Sequence, residues 1–114
     1  MNFLKGRVKD GAVEVSALAR SVKPSVQLPP DGTEVTVGLR PEHMDVHPGK
    51  GALHADLSEA LGGVSYLHLD TPTGEKIIAE ERGDDRAREG DTVDITFEAR
   101  RIMLFDAKSG LRLR

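Results

Sequence analysis

The sequence contains no cysteine, few aromatic residues and no long apolar run, and each shortage closes off a class of function. Without cysteine there are no disulfides, no thiolate metal ligands and no thiol redox chemistry. No apolar stretch approaches the roughly 20 residues that span a bilayer as a helix. The opening residues Met1-Asn2-Phe3-Leu4-Lys5-Gly6 lack the basic segment and the apolar core of about 7–15 residues that mark a signal peptide, so the expected compartment is the cytoplasm. The aromatics are Phe3, Tyr66, Phe97 and Phe105, too few for the stacking platform of a single-strand nucleic-acid binder. Positive charge is also short: 16 Lys+Arg stand against 19 Asp+Glu, a net charge of −3. There is no field to collect phosphates, and nucleic acid is not expected as a partner.

Chemistry-bearing patterns are equally sparse. The nearest fragment to a phosphate-binding P-loop is Gly49-Lys50-Gly51, which lacks both the glycine spacing and the hydroxyl residue that holds magnesium, and reads as a turn. Ser65 lies outside any Gly-x-Ser-x-Gly elbow. The carboxylates are plentiful, but no pair is marked as converging for acid–base work. His43 and His47 are four residues apart, and His54/Asp56 and His68/Asp70 would each share a strand face. Pro41 and Pro48 bracket the first pair against a helix, and the other positions look solvent-facing, so no metal site and no cofactor are expected.

What the sequence does have is period-two hydrophobic alternation in short stretches separated by Gly, Pro and Asp. With 114 residues, 38% hydrophobic and 31% charged, it is expected to form one domain over 1–114, all-β and built of short antiparallel strands. Leu4 and Val8 alternate with Lys5, Arg7 and Lys9; Asp10-Gly11 then supplies a turn into Val13 and Val15, so 3–16 reads as a hairpin. After Pro29-Pro30-Asp31-Gly32, the run Glu34 to Arg40 sets Val35, Val37 and Leu39 on one face. Pro48-Gly49-Lys50-Gly51 is expected to break the chain again. Leu53, Ala55 and Leu57 then alternate with polar residues as a strand, although Leu53, Leu57 and Leu61 also fit a helix. Val64 to Asp70 and Lys76 to Glu80 form a second hairpin around Thr71-Pro72-Thr73-Gly74, and the polar stretch Glu80 to Arg88 reads as a solvated loop in which Arg82-Gly83-Asp84 is a chance tripeptide. Val93, Ile95 and Phe97 mark a further strand, and Ile102 to Phe105 the last substantial one. The absence of a βα alternation argues against a doubly wound nucleotide fold.

One segment stands apart. Gly38-Leu39-Arg40-Pro41-Glu42-His43 ends a strand and holds an extended conformation before the proline, which makes it a corner. Gly38 permits close backbone approach or a bulge, Pro41 removes a donor, and Arg40 is expected to pair with Glu42 across the bend.

The same segment resembles the signature of the C-terminal regulatory domain of the maltose and glycerol-phosphate importer ATPase family. Met1-Asn2-Phe3-Leu4 resembles the junction after that family's nucleotide-binding domain. Glu59-x-Leu61-Gly62 with Tyr66 and His68 resembles its central strand pair, and Leu104-Phe105-Asp106 with Gly110-x-Arg112-Leu113 its closing segment. The resemblance covers the whole chain. It implies a transport-associated OB-type (TOBE-type) β-barrel, with Gly38, Arg40, Pro41, Glu42, His43, Glu59 and Gly62 as mainly structural signature positions. In the family the ATPase motifs lie upstream of the segment that begins like Met1-Asn2, so the motor is missing and no catalytic residue is expected.

The implied role is a non-catalytic regulatory and dimerisation domain for uptake of sugars, polyols or glycerol phosphate. Its expected partners are a second copy of itself, the nucleotide-binding domain and through it the importer's membrane subunits, and regulatory proteins. Inter-subunit contacts in the family surround the matching Leu-Phe element. Here Met103 and Phe105 share one strand face while Ile102 and Leu104 share the other, so one apolar face lines the barrel and the other awaits cover. A rival reading is a stand-alone sensor of an oxyanion or sugar, since related OB-type transport domains bind molybdate in pairs, but no compact cluster of Lys, Ser and Gly marks an anion site.

Overall fold

In a computed structural model that describes residues 1–81 and 90–113, the chain forms two antiparallel sheets around one core. The strands are β1 (Asn2–Lys9), β2 (Ala12–Val15), β3 (Arg20–Val22), β4 (Glu34–Leu39), β5 (Asp45–Leu61), β6 (Val64–Asp70), β7 (Lys76–Glu81), β8 (Thr92–Thr96), β9 (Met103–Asp106) and β10 (Arg112–Leu113). One sheet has the order β10-β9-β4-β1-β2-β3, the other β7-β6-β5-β8. The all-β expectation holds, and the OB-type barrel takes the form of two sheets enclosing a shared cluster of buried residues. The expected solvated loop begins later than its sequence suggests, because Glu80 and Glu81 belong to β7 and Glu81 is buried. The rest of that stretch, with Arg82-Gly83-Asp84, lies outside the described residues.

The first hairpin forms where the sequence puts it, because Asp10 (φ 51°) and Gly11 (φ 76°) both take the left-handed conformation that a two-residue turn between twisted strands demands. Alternation then decides which face each residue takes. Leu4 of β1, Val37 of β4 and Leu104 of β9 stand opposite one another in register and are fully buried. Leu67, Leu69, Ile77, Val93 and Ile95 of the four-stranded sheet meet them in the same cluster. Burying each such side chain contributes about 1.5–3 kcal/mol.

Two expectations fail in β5. The turn signal Pro48-Gly49-Lys50-Gly51 does not end the strand, which runs for 17 residues. Both Pro48 and Leu53 align with Val93 of β8, so the residues between them bulge out of the ladder. Proline and glycine are at home in such a bulge as well as in a turn. Gly51 is required there by space: a Cβ on it would lie 1.9 Å from the Val93 carbonyl oxygen. A second irregularity, between Ala55 and Leu57, inserts Asp56 as an extra residue and turns the following side chains over. Leu57, expected beside Leu53 and Ala55 on the core face, is therefore 49% exposed.

Candidate functional site

The corner that carries the chain from one sheet to the other is built by its proline. Arg40 is extended (φ −83°, ψ 139°), as a residue before proline prefers, and Pro41 opens a single 3₁₀ turn over Pro41–His43 with Glu42 in its first turn. The backbone N–H of His43 donates to the Arg40 carbonyl at 3.0 Å, and Met44, which is buried, follows as the first inward residue. Arg40 and Glu42 are both exposed, and the expected ion pair between them is not among those formed by the described residues. Two side chains in water gain too little from pairing to be fixed.

The side chain that does hold the corner is His43. It is half-buried, with Arg101 Nη1 3.4 Å from its Nε2, so the turn at Ala99–Arg101 packs back onto the signature. Its Nδ1 is buried without a hydrogen-bond partner among the described residues. Glu42 lines a depression of about 320 Å³ together with Asp45, His47, Glu80 and Glu81. Among the described residues no three metal-ligating side chains converge.

Glu59 and Gly62 lie at the far end of the other sheet. Gly62 takes φ 70° in the β5–β6 turn, which favours glycine. Glu59, opposite Tyr66 on β6, accepts a 2.6 Å hydrogen bond from the imidazole of His68 one row away. The signature positions are thus brought together in two separate groups rather than in one cleft.

A third group is the one that leaves apolar surface uncovered. Phe3, Gly38 and Met103 stand opposite one another across β1, β4 and β9, and the next outward row is Lys5, Thr36, Phe105 and Arg112. These rows form the outer face of the six-stranded sheet. Phe3, 57% exposed, meets Phe105 edge-on with ring centroids 5.9 Å apart, the arrangement aromatic pairs prefer. Phe105 and Met1 rest over the gap left by Gly38, where a Cβ would lie 3.0 Å from Phe105 Cε2 and 3.1 Å from Met1 Sδ. At Gly38 it is thus side chains, not another backbone, that make the close approach. Met1 is also exposed at 48%. The rim is polar: Arg7 pairs with Glu34 at 3.4 Å, and the Lys5 amide donates to Glu75.

A depression of about 540 Å³ beside this patch is lined by Lys5 and Arg7 but equally by Glu14 and Glu34. Balanced charge of that kind offers an anion no net attraction, which argues against the oxyanion sensor. In the turn after β9, the carboxylate of Asp106 accepts the backbone N–H groups of Ser109 and Lys108. Those donors hold its pKa below the ordinary aspartate value.

Of this patch the sequence marks Met103 and Phe105 as contact residues and Gly38 as a structural one. Phe3 joins them through strand register and Met1 through its contact at Gly38, neither of which composition reveals. Asn2 was missed for the same reason: its side-chain amide reaches both sheets, bonding Leu39 in one and Ile78 in the other. Arg20, which bonds across to β8, carried no signal at all.

Comparison with known proteins agrees with this architecture. The family pattern described as "TOBE domain" matches residues 37–105, and that described as "MalK OB fold domain" matches 1–44. Both describe the OB-type region rather than an ATPase domain. Among relatives, the lactose transport ATP-binding protein of Rhizobium radiobacter is 40% identical over 100% of this chain and 34% of its own length. The sn-glycerol-3-phosphate import ATP-binding protein of Cereibacter sphaeroides is 31% identical over 99% of this chain and 32% of its own. The trehalose/maltose import ATP-binding protein of Thermococcus litoralis is 31% identical over 96% and 33%. The chain spans about a third of the length of these relatives. No helix among the described residues is long and apolar enough to cross a membrane.

Proposed function

The chain belongs to the TOBE domain family, and from that premise we propose that it is the non-catalytic regulatory and dimerisation module of an importer's ATP-binding subunit. The transported class would be a carbohydrate, polyol or glycerol phosphate; its relatives are named for lactose, sn-glycerol-3-phosphate and trehalose/maltose. The observation that carries this reading is the apolar patch of exposed Phe3 and Met1 with half-buried Phe105 and Met103 around Gly38, rimmed by charged side chains. An exposed apolar area with a polar rim is the ordinary form of a protein contact surface. In this reading two copies meet there about a two-fold axis and keep two motor domains side by side while they open and close on ATP.

The module works in the cytoplasm, held at the inner membrane through its nucleotide-binding domain and the importer's membrane subunits. Its remaining surface docks regulatory proteins, and its work involves no cofactor and no nucleic acid. Light scattering over a concentration series tests the pairing. Alone, without motor domains to hold the pair together, the domain is expected to form a weak dimer whose contact buries less than the roughly 1,200 Å² of a stable interface. A strict monomer at high concentration would remove the dimerisation role. Equilibrium dialysis is expected to find no ATP binding, and micromolar affinity would overturn the non-catalytic assignment.

A further inference from the structure

The four-stranded sheet ends in β7 on one side and β8 on the other, and an edge strand leaves every second backbone N–H and C=O without a strand partner. Both edges are taken by side chains from the six-stranded sheet. On β7, Asn2 Nδ2 donates to the Ile78 carbonyl at 2.8 Å and the Ile78 N–H donates to Asn2 Oδ1 at 2.7 Å. The amide thereby reproduces the pair of bonds that a neighbouring strand would make. On β8, Arg20 Nη2 donates to the Ile95 carbonyl at 2.7 Å, Nη1 lies 3.5 Å from Asp94 Oδ1, and the guanidinium sits 5.3 Å from the centre of the Phe97 ring.

The two fastenings differ in kind. Asn2 is 7% exposed, uncharged, and makes a further 3.1 Å bond to the Leu39 carbonyl in its own sheet, so neither salt nor pH reaches it. The Arg20 and Asp94 side chains are 35% and 48% exposed, within reach of screening ions and competing anions. Arg20 also stands on slight support. β3 is a three-residue strand at the end of its sheet, entered through Ala19 in the left-handed conformation (φ 55°).

We infer that Asn2 is a fixed pivot and Arg20 a releasable latch, so that the domain opens locally between β3 and β8 while the sheets stay joined at β7. Release frees the Ile95 carbonyl and uncovers the Phe97 ring; everything on the Asn2 side keeps its pairing. Hydrogen exchange by mass spectrometry on the 114-residue chain tests this with Arg20→Met, which keeps the apolar stem and removes the charge and donors. Exchange in Arg20–Val22 and Thr92–Thr96 is expected to rise about tenfold, as loss of a charge-assisted bond allows. Exchange in Val64–Asp70 and Lys76–Glu81 is expected to stay unchanged. The wild-type chain in about 1 M NaCl is expected to show the same local pattern at smaller amplitude. A uniform rise in all strands would make Arg20 an ordinary contributor to global stability and overturn the latch, as would no rise. Local loosening in Arg20→Met with no response of the wild type to salt would overturn its being releasable.

Discussion

The inner and outer faces of β1, β4 and β9 are made by the same residues taken alternately, yet they have opposite fates. Inside, Leu4, Val37 and Leu104 are fully buried against the second sheet. Outside, Phe3, Gly38, Met103 and Phe105 are just as apolar but meet only one another and Met1 among the contacts of the described residues. The inner face is closed by the second sheet; the outer face has aromatic area, a polar rim and no sheet over it among the described residues. Apolarity alone therefore does not distinguish core from contact surface. What distinguishes them is whether the fold supplies a second layer.

The sharpest way to break this contrast is a charge on each face. Val37→Asp is expected to unfold the domain, since an unpaired buried carboxylate costs several kcal/mol against a total of roughly 5–15. Thr36→Asp, one residue along and facing outward beside Lys5 and Phe105, is expected to cost less than about 1 kcal/mol. Thermal melts followed by circular dichroism compare the two, and equal losses would mean that the faces are wrongly assigned.

The glycines sharpen it further. Gly51→Ala drives a methyl into the Val93 carbonyl, a backbone group that cannot step aside, and is expected to cost about 3 kcal/mol in denaturant unfolding. Gly38→Ala meets the ends of the Phe105 and Met1 side chains instead, which yield, so the expected cost is nearer about 1 kcal/mol. Next in size is Phe105→Ala, expected to weaken self-association about tenfold in light scattering while the melting temperature moves little. A variant that loses folding rather than association would return Phe105 to the core.

The smallest effect concerns the turn after β9. Because Asp106 has its pKa lowered by the Ser109 and Lys108 amides, its contribution is present above the ordinary aspartate value of 3.8 and is lost as pH falls through the lower folded value. Asp106→Asn is expected to remove that part of the pH dependence. Its melting temperature would fall less than that of the wild type between about pH 5 and about pH 2–3.

Much of the fold was legible because alternation is a local property. The strand at Glu34–Leu39, the hairpin around Asp10-Gly11 and the corner at Arg40-Pro41 each follow from a few consecutive residues. The failures share the opposite character. Whether Pro48 to Gly51 makes a turn or a bulge depends on β8, and the outward turn of Leu57 depends on one extra residue opposite β6. The candidate surface was half legible: Phe105 lies in a recognisable segment, whereas Phe3 reaches it only through β4. Asn2 and Arg20 bond partners 76 and 75 residues away, and nothing local announces such a bond.

The order of strands also sets a timetable. β5 to β8 form a complete sheet inserted between β4 and β9 of the other, so β4 has no neighbour on one side until residues 103–106 have been made. During synthesis the first half of the domain therefore waits, with an open strand edge and half a core, for the chain's last substantial strand. Pairings this distant in sequence carry a large loop-closure cost and fold slowly. A ribosome that stalls within β8 leaves Val37 and Leu39 facing solvent beside an unpaired edge, the kind of surface on which nascent chains aggregate.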